Sequence, residues 1–221
     1  MDYNALKDLS YGMYILSTND GEKPVGCVIN SAIQITSASS IIAISVNKLN
    51  HTNEVIKKSN KFGLSILSTK TDPSLIGTFG FKSSKDFDKF SGIDVKYVNN
   101  LPIINENTTG YLICDVINII SVDTHDIFLA KIIDSKKINN LDPMTYSYYQ
   151  KEIKGQSPKN APTYIPTTNL NTNLDTNLDT YSCLICGYKY NEETERIPFK
   201  ELPNNWICPI CGAPKELFKK I

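Results

Sequence analysis

The sequence predicts a mainly β protein in two parts: a strand-rich domain, barrel or sandwich, and a small cysteine-knuckle domain over 181–221, joined by a linker over 167–180. Three observations carry this. The first part is filled with β-branched, partly alternating runs and few helical stretches, the pattern of a barrel or sandwich rather than a doubly wound sheet. The chain then closes on two C-x-x-C-Gly pairs, Cys183/Cys186 before Gly187 and Cys208/Cys211 before Gly212. Between the parts, 167–180 repeats Thr-Asn-Leu-Asp/Asn, whose isolated leucines among turn formers cannot bury a core. A flexible tether of about 14 residues spans about 20 Å on average.

The elements follow in order. Asn4–Leu9 is a short opening helix. Strands are expected at Tyr14–Thr18, Pro24–Asn30, Ala32–Thr36, Ile41–Asn47, Phe62–Leu67, Tyr111–Val122 and Ile127–Ile138. Asn19-Asp20-Gly21-Glu22 is a turn, making the first two strands a hairpin. Thr52–Ser59 is helical, with Val55 and Ile56 on one face and Thr52 or Asn53 as its cap. Asp72-Pro73 opens a second helix, Ser74–Phe79, as an N-cap followed by proline in the first turn.

Composition excludes several function classes. The 221 residues carry no net formal charge, so nothing electrostatic favours nucleic acid or an anionic membrane. No apolar run reaches the roughly 18 residues of a membrane span, and the first residues lack a leader pattern, so a soluble, cytoplasmic protein is expected. Neither a G-x-G-x-x-G fingerprint nor a P-loop occurs. Cys27 and Cys114 lie in apolar β-like runs and are read as buried core residues rather than a disulfide.

Cys183, Cys186, Cys208 and Cys211 form the strongest motif. Each C-x-x-C turn puts two thiolates on one side of a tight bend, and the following glycine can take positive φ so that backbone N–H groups turn toward sulfur. Two disulfides are the bland alternative. Four thiolates in a tetrahedron suit zinc or iron, and a closed set leaves no coordination position for substrate. The aromatics Tyr181, Tyr188, Tyr190, Phe199, Trp206 and Phe218 supply a core that so small a unit would otherwise lack. In the barrel domain, polar residues gather at strand ends and at a helix start: Asn30, Ser31, Gln34 and Thr36, then Asn47, Lys48, His51 and Thr52. Rims of this kind bind phosphate through hydroxyls, backbone N–H groups and a lysine, although hydroxyl-rich turns are mostly only turns.

Two resemblances give these patterns a direction. From Tyr181 to Phe218 the run of knuckles and aromatics, with Leu202-Pro203 and Trp206 before the second knuckle, resembles rubredoxin, with a shortened stretch between the knuckles. This implies one iron rather than zinc. Residues 1–166 resemble the flavin reductase-like family, an FMN-binding split β-barrel of Greek-key type. The resemblance rests on the ordered set just named, on Phe79-Gly80-Phe81-Lys82-Ser83-Ser84, on Asp123-Thr124-His125-Asp126-Ile127-Phe128, and on the closing Pro158–Tyr164 segment. Ala130 and Lys82-Ser83-Ser84 depart from the usual pattern. The resemblance implies that Asn30, Ser31, Gln34 and Thr36 lie along the flavin ring and ribityl chain. Asn47, Lys48, His51 and Thr52 would meet ribityl and phosphate. Lys82, Ser83 and Ser84 would neutralise the phosphate, and His125 would sit near the flavin or nicotinamide.

Together the two halves resemble the high-molecular-weight rubredoxin family of anaerobes. That likeness implies an oxidoreductase taking hydride from NAD(P)H onto FMN and passing single electrons through a four-cysteine iron centre to an outside acceptor. It suggests a flavodiiron protein reducing nitric oxide or dioxygen as acceptor, and a homodimer formed through the barrel. The alternatives are a zinc-ribbon-bearing adaptor and a flavin reductase that releases its reduced flavin.

Overall fold

The computed structural model describes residues 3–153, 155, 157–158, 161–164, 180–195 and 197–221. The linker expected over 167–180 lies outside them except for Thr180, and the expected closing segment 158–164 is described at 158 and 161–164. Among the described residues, strands β1 (Tyr14–Asn19), β2 (Pro24–Ile29), β3 (Ala32–Thr36), β4 (Ile41–Asn47), β5 (Lys61–Leu67), β8 (Thr108–Val122) and β9 (His125–Lys137) form one sheet in the order β2-β1-β5-β8-β9-β4-β3. All its pairings are antiparallel.

The sheet curls. Cys27 and Ile29 on β2 share one core cluster with Ile42, Ile44 and Val46 on β4, although four strands stand between those two in the strand order. Leu16, Ile56, Phe62, Leu64, Cys114, Phe128 and Ala130 complete that cluster. Phe62 and Phe128 are fully buried, and each such side chain contributes about 1.5–3 kcal/mol by leaving water. The long β8 makes the curl possible, pairing with β5 through Thr108–Asp115 and with β9 along nearly its whole length. Register shifts at Ile113/Cys114 and Val116/Asn118 mark where it bends. This is a split barrel, as the sequence predicts.

A second core lies outside the barrel wall. Alternation along β1 sends Leu16 inward and Ile15 outward, and both are fully buried. Ile15 packs with Met13, Leu67, Ile76, Phe79 and Tyr149 under helices α2 (Pro73–Phe81) and α3 (Tyr146–Lys151). Asp72 caps α2, its carboxylate accepting from Ser74 N at 2.8 Å with Pro73 in the first turn, as expected. Helix α1 (His51–Ser59) differs from expectation: its cap is Asn50, which accepts from Thr52 N at 3.0 Å. Thr52 and Asn53 are instead buried helical residues. Their small polar side chains suit a cap, but the chain enters the helix two residues earlier. The opening segment Tyr3–Asp8 is a 3-10 turn.

In the larger unit two features escape the sequence reading. The hairpin of β6 (Val95–Val98) and β7 (Leu101–Ile104) turns on Asn99 and Asn100, both at positive φ, the backbone of a two-residue hairpin loop. The second is α3, capped by Thr145. Cys27 and Cys114 are buried and free, as expected. In the small unit, β10 (Thr180–Cys183) pairs with β11 (Lys189–Asn191) and β12 (Phe218–Lys220). No helix among the described residues is long and apolar enough to cross a membrane.

Candidate functional site

The metal centre is built by repetition. In the first knuckle Cys183 N donates to Tyr188 O at 2.9 Å and Gly187 N to Cys183 O at 2.8 Å. In the second, Cys208 N donates to Ala213 O at 2.7 Å and Gly212 N to Cys208 O at 2.9 Å. Gly187 and Gly212 take positive φ, 73° and 70°, which glycine adopts without a Cβ penalty. The four sulfurs lie within 4.8 Å of one another. Cys183 Sγ and Cys211 Sγ are 3.7 Å apart, Cys186 Sγ and Cys208 Sγ 3.5 Å. A disulfide needs about 2.05 Å, whereas a tetrahedron with arms of about 2.3 Å has edges of about 3.8 Å. Hydrogen bonds shared with Cys208 and Cys211, and then burial, push the Cys186 thiol far above its ordinary range. The same sharing pulls Cys211 down to about 2. A cation removes this competition for protons, so the donor set fits a metal.

The aromatics close over the knuckles as the sequence implies. Tyr181 stacks on Phe199 at 4.2 Å, and Trp206 meets Phe218 edge-on at 5.1 Å. The Tyr190 hydroxyl donates to Ile197 O at 2.8 Å and that of Tyr188 to Glu195 at 3.1 Å, so neither buried phenol lacks a partner.

The larger site is a cavity of about 340 Å³ beside the barrel, within the size range of cofactor pockets. Met13, Val28, Ile29, Val46 and Ile76 give it an apolar wall. Of the expected residues, Asn30, Asn47, His51, Lys82, Ser83 and His125 line it. The fold brings them together through long-range pairing: Asn47 on β4 stands opposite His125, the first residue of β9. His125 is placed there by the tight turn at Asp123, which takes positive φ, and its Nδ1 lies 2.9 Å from Thr124 Oγ1. Lys82 Nζ sits 4.1 Å over the Phe87 ring.

The other expected residues stand elsewhere. Ser31 donates to Asn30 Oδ1 at 2.9 Å and so orients an amide that does line the cavity. Gln34 and Thr36 lie on the exposed β3, where Gln34 Nε2 donates to Thr36 O at 3.3 Å. Lys48 Nζ donates to Asp123 O at 2.6 Å on the surface. Thr52 is fully buried. Ser84 turns inward, accepting from Gly26 N and donating to Gly26 O.

The closing segment reaches the cavity through side chains that the sequence does not single out, and two further charged residues, Lys89 and Asp126, stand outside its lining. Asn30 Nδ2 donates to Thr163 Oγ1 at 2.9 Å, Thr163 meets Ser157 at 2.9 Å, and Ser157 meets the Tyr146 hydroxyl. This polar chain holds residues 157–158 and 161–163 against the cavity as a wall. Lys89 is buried, its Nζ donating to Gly26 O at 2.8 Å and Phe79 O at 3.1 Å, and burial pushes it down to about 8. Burial alone pushes Asp126 up, but Lys57 at 2.6 Å, Asn53 at 3.0 Å and Ser121 outweigh it and hold the carboxyl below its ordinary range. A flanking Asp next to a histidine, as in His125-Asp126, is the signal that could have marked it.

Comparison with known proteins agrees with this geometry. The family described as Flavin reductase like domain matches residues 6–157, and Rubredoxin matches 180–218. The high molecular weight rubredoxin of Moorella thermoacetica is 38% identical over 100% of both chains. A ferric-chelate reductase (NAD(P)H) of Archaeoglobus fulgidus is 32% identical over 74% of this chain and 98% of its own. In three dimensions the barrel is similar to the NADH:FAD oxidoreductase of Streptomyces globisporus, with a TM-score of 0.59 at 19% identity over 64% of this chain and 84% of that one, a likeness of fold. The barrel and cavity therefore define a flavin reductase-like oxidoreductase with a four-cysteine rubredoxin-type site appended. The chain belongs to the high-molecular-weight rubredoxin family, whose two-part make-up implies flavin-linked electron transfer.

Proposed function

We propose that this chain takes hydride from NAD(P)H onto FMN in the barrel cavity and passes the electrons singly through one iron to an external acceptor, a flavodiiron protein. The carrying observation is the presence in one chain of a flavin-sized cavity and a closed four-sulfur centre. Such a centre has no position for substrate, so its chemistry is electron transfer. When bound, the flavin converts a two-electron hydride donor into a source of single electrons.

The residues present fit that group. Met13, Val28, Ile29 and Val46 offer an apolar face for the ring, and Asn30, steadied by Ser31 and Thr163, offers an amide at its polar edge. Lys82, Ser83 and His51, with the α1 N-terminus at Asn50, suit a phosphate. Thr52, Ser84 and Lys48 hold the frame of that rim. His125 stands at the cavity to orient the flavin or nicotinamide. The name of the Archaeoglobus relative supports NAD(P)H as donor. A second copy of the chain fits the apolar surface of Ile33 and Ile35 on β3 and Ile117, Ile120 and Val122 on β8, all exposed. Across such a homodimer Gln34 and Thr36 would reach the partner's flavin. The working place of the protein is the cytoplasm.

The test is spectral. Anaerobic full-length protein, stripped of flavin and reconstituted with FMN or FAD, is mixed with NADH or NADPH while iron and flavin bands are followed. NADH or NADPH should bleach the iron only when FMN is present. Bleaching without flavin, or a colourless protein holding one zinc, would end the reading.

A further inference from the structure

The two units meet at an unusual place. Gly77 lies in the middle of α2 and is buried. A methyl group there would fall on the Ile210 carbonyl oxygen, 2.5 Å from its carbonyl carbon and 2.9 Å from Cys211 Cα. Backbone of the second knuckle, at Ile210 and the metal-ligand candidate Cys211, thus rests directly on backbone of α2, the helix that walls the cavity. Glycine in a helix interior is otherwise unfavourable relative to alanine, so the sequence carries it here against local preference. The barrel residues Phe81 and Ile153 pack against the aromatic core of the small unit. Ile185, from the first knuckle, lines the cavity together with Phe81 and Tyr149. Tyr149 is buried and lies within electrostatic reach of Cys186, Cys208 and Cys211.

We infer that Gly77 is a positioning residue for electron transfer within the chain: it seats the Ile210–Cys211 knuckle on α2, so that the metal centre and the cavity are separated by little more than Phe81, Tyr149 and Ile185. The inference rests on the proposed flavin-to-iron route. On that route NADH would become NAD+ by giving up one hydride, which carries two electrons and a proton; the electrons would leave a bound flavin one at a time, each reducing ferric iron to ferrous and passing to the external acceptor before the next, while the proton would go to solvent. The backbone-on-backbone contact at Gly77, beside the side-chain packing of Phe81 and Ile153, has a physical consequence. It depends on shape at one glycine rather than on charge, so it is insensitive to salt and is abolished by a single methyl group.

The experiment compares full-length holoprotein with Gly77→Ala and Gly77→Leu. Alanine is the better helix former, so a folding defect is not expected from α2 itself. Stopped-flow with NADH should show flavin bleaching within twofold of the parent and iron reduction slowed at least tenfold in Gly77→Ala, more in Gly77→Leu. Deuterium uptake should rise in 207–212 and in 73–81 of both variants, with an unchanged rate profile across 0.05–0.5 M salt for the parent. Parent-like iron reduction and deuterium uptake in both variants would overturn the inference, as would equal slowing of flavin and iron, which marks a merely structural role. If the parent flavin is not reduced by NADH at all, the route itself fails, while the deuterium result still decides whether Gly77 seats the knuckle.

Discussion

The cavity and the metal centre sit side by side, yet they are built by opposite means. The metal centre is local: each knuckle supplies two sulfurs three residues apart, and its hydrogen bonds, Gly187 N to Cys183 O and Gly212 N to Cys208 O, close within one turn. The cavity is assembled from a distance: Asn30 meets Thr163, and Asn47 meets His125 across two strands. The lesson is that spacing encodes a site only where the covalent chain itself sets the geometry. Where register and curl set it, the residue types are visible but their partners are not.

The comparison can be broken from either side. The largest effect is expected from Cys208→Ser. Structural four-ligand metal binding contributes about 10–16 kcal/mol to such small units, so the rubredoxin-type visible spectrum and the ordered aromatic core of 180–221 should both be lost. Calorimetry should still show the barrel transition, because Phe62, Phe128 and their neighbours form a separate core. Loss of both transitions together would mean that the units share one cooperative core.

The mirror experiment is Phe128→Ala. Phe128 is fully buried, and emptying such a site costs about 3–5 kcal/mol. Urea unfolding followed at the flavin should shift by that amount while the metal stays bound through the midpoint. Release of metal in step with the barrel would contradict the separateness of the two cores.

A smaller effect sharpens the barrel side through pH. Burial pushes Lys89 down to about 8 when folded, against an ordinary value near 10.4. Between these values the unfolded chain holds a proton that the folded chain does not. Stability therefore rises with pH across that window, the penalty for the buried charge being felt below it. At about 1.4 kcal/mol per unit the rise is about 2–3 kcal/mol. It should vanish in Lys89→Met, compared by urea unfolding at pH 8 and 10. A parent protein with no such rise would show that the ammonium's bonds to Gly26 O and Phe79 O fully offset its burial.

The sequence by itself determined the knuckles. Cys183, Cys186, Cys208 and Cys211, their glycines and the aromatics Tyr181 to Phe218 stand as the spacing implied, because a C-x-x-C-Gly turn closes on itself. It also determined the strand runs and the Asp72-Pro73 helix start, since period-two alternation and capping are short-range. Tertiary structure decided the rest. It placed the α1 cap at Asn50, turned Ser84 inward, left Gln34 and Thr36 on an exposed strand, and drew Ser157 and Thr163 into the cavity wall. It also buried Lys89 and set Gly77 beneath Ile210. Each of these depends on which remote backbone arrives beside the residue. That is fixed by the register of β8 against β5 and β9 and by the curl of the sheet, which no local pattern records.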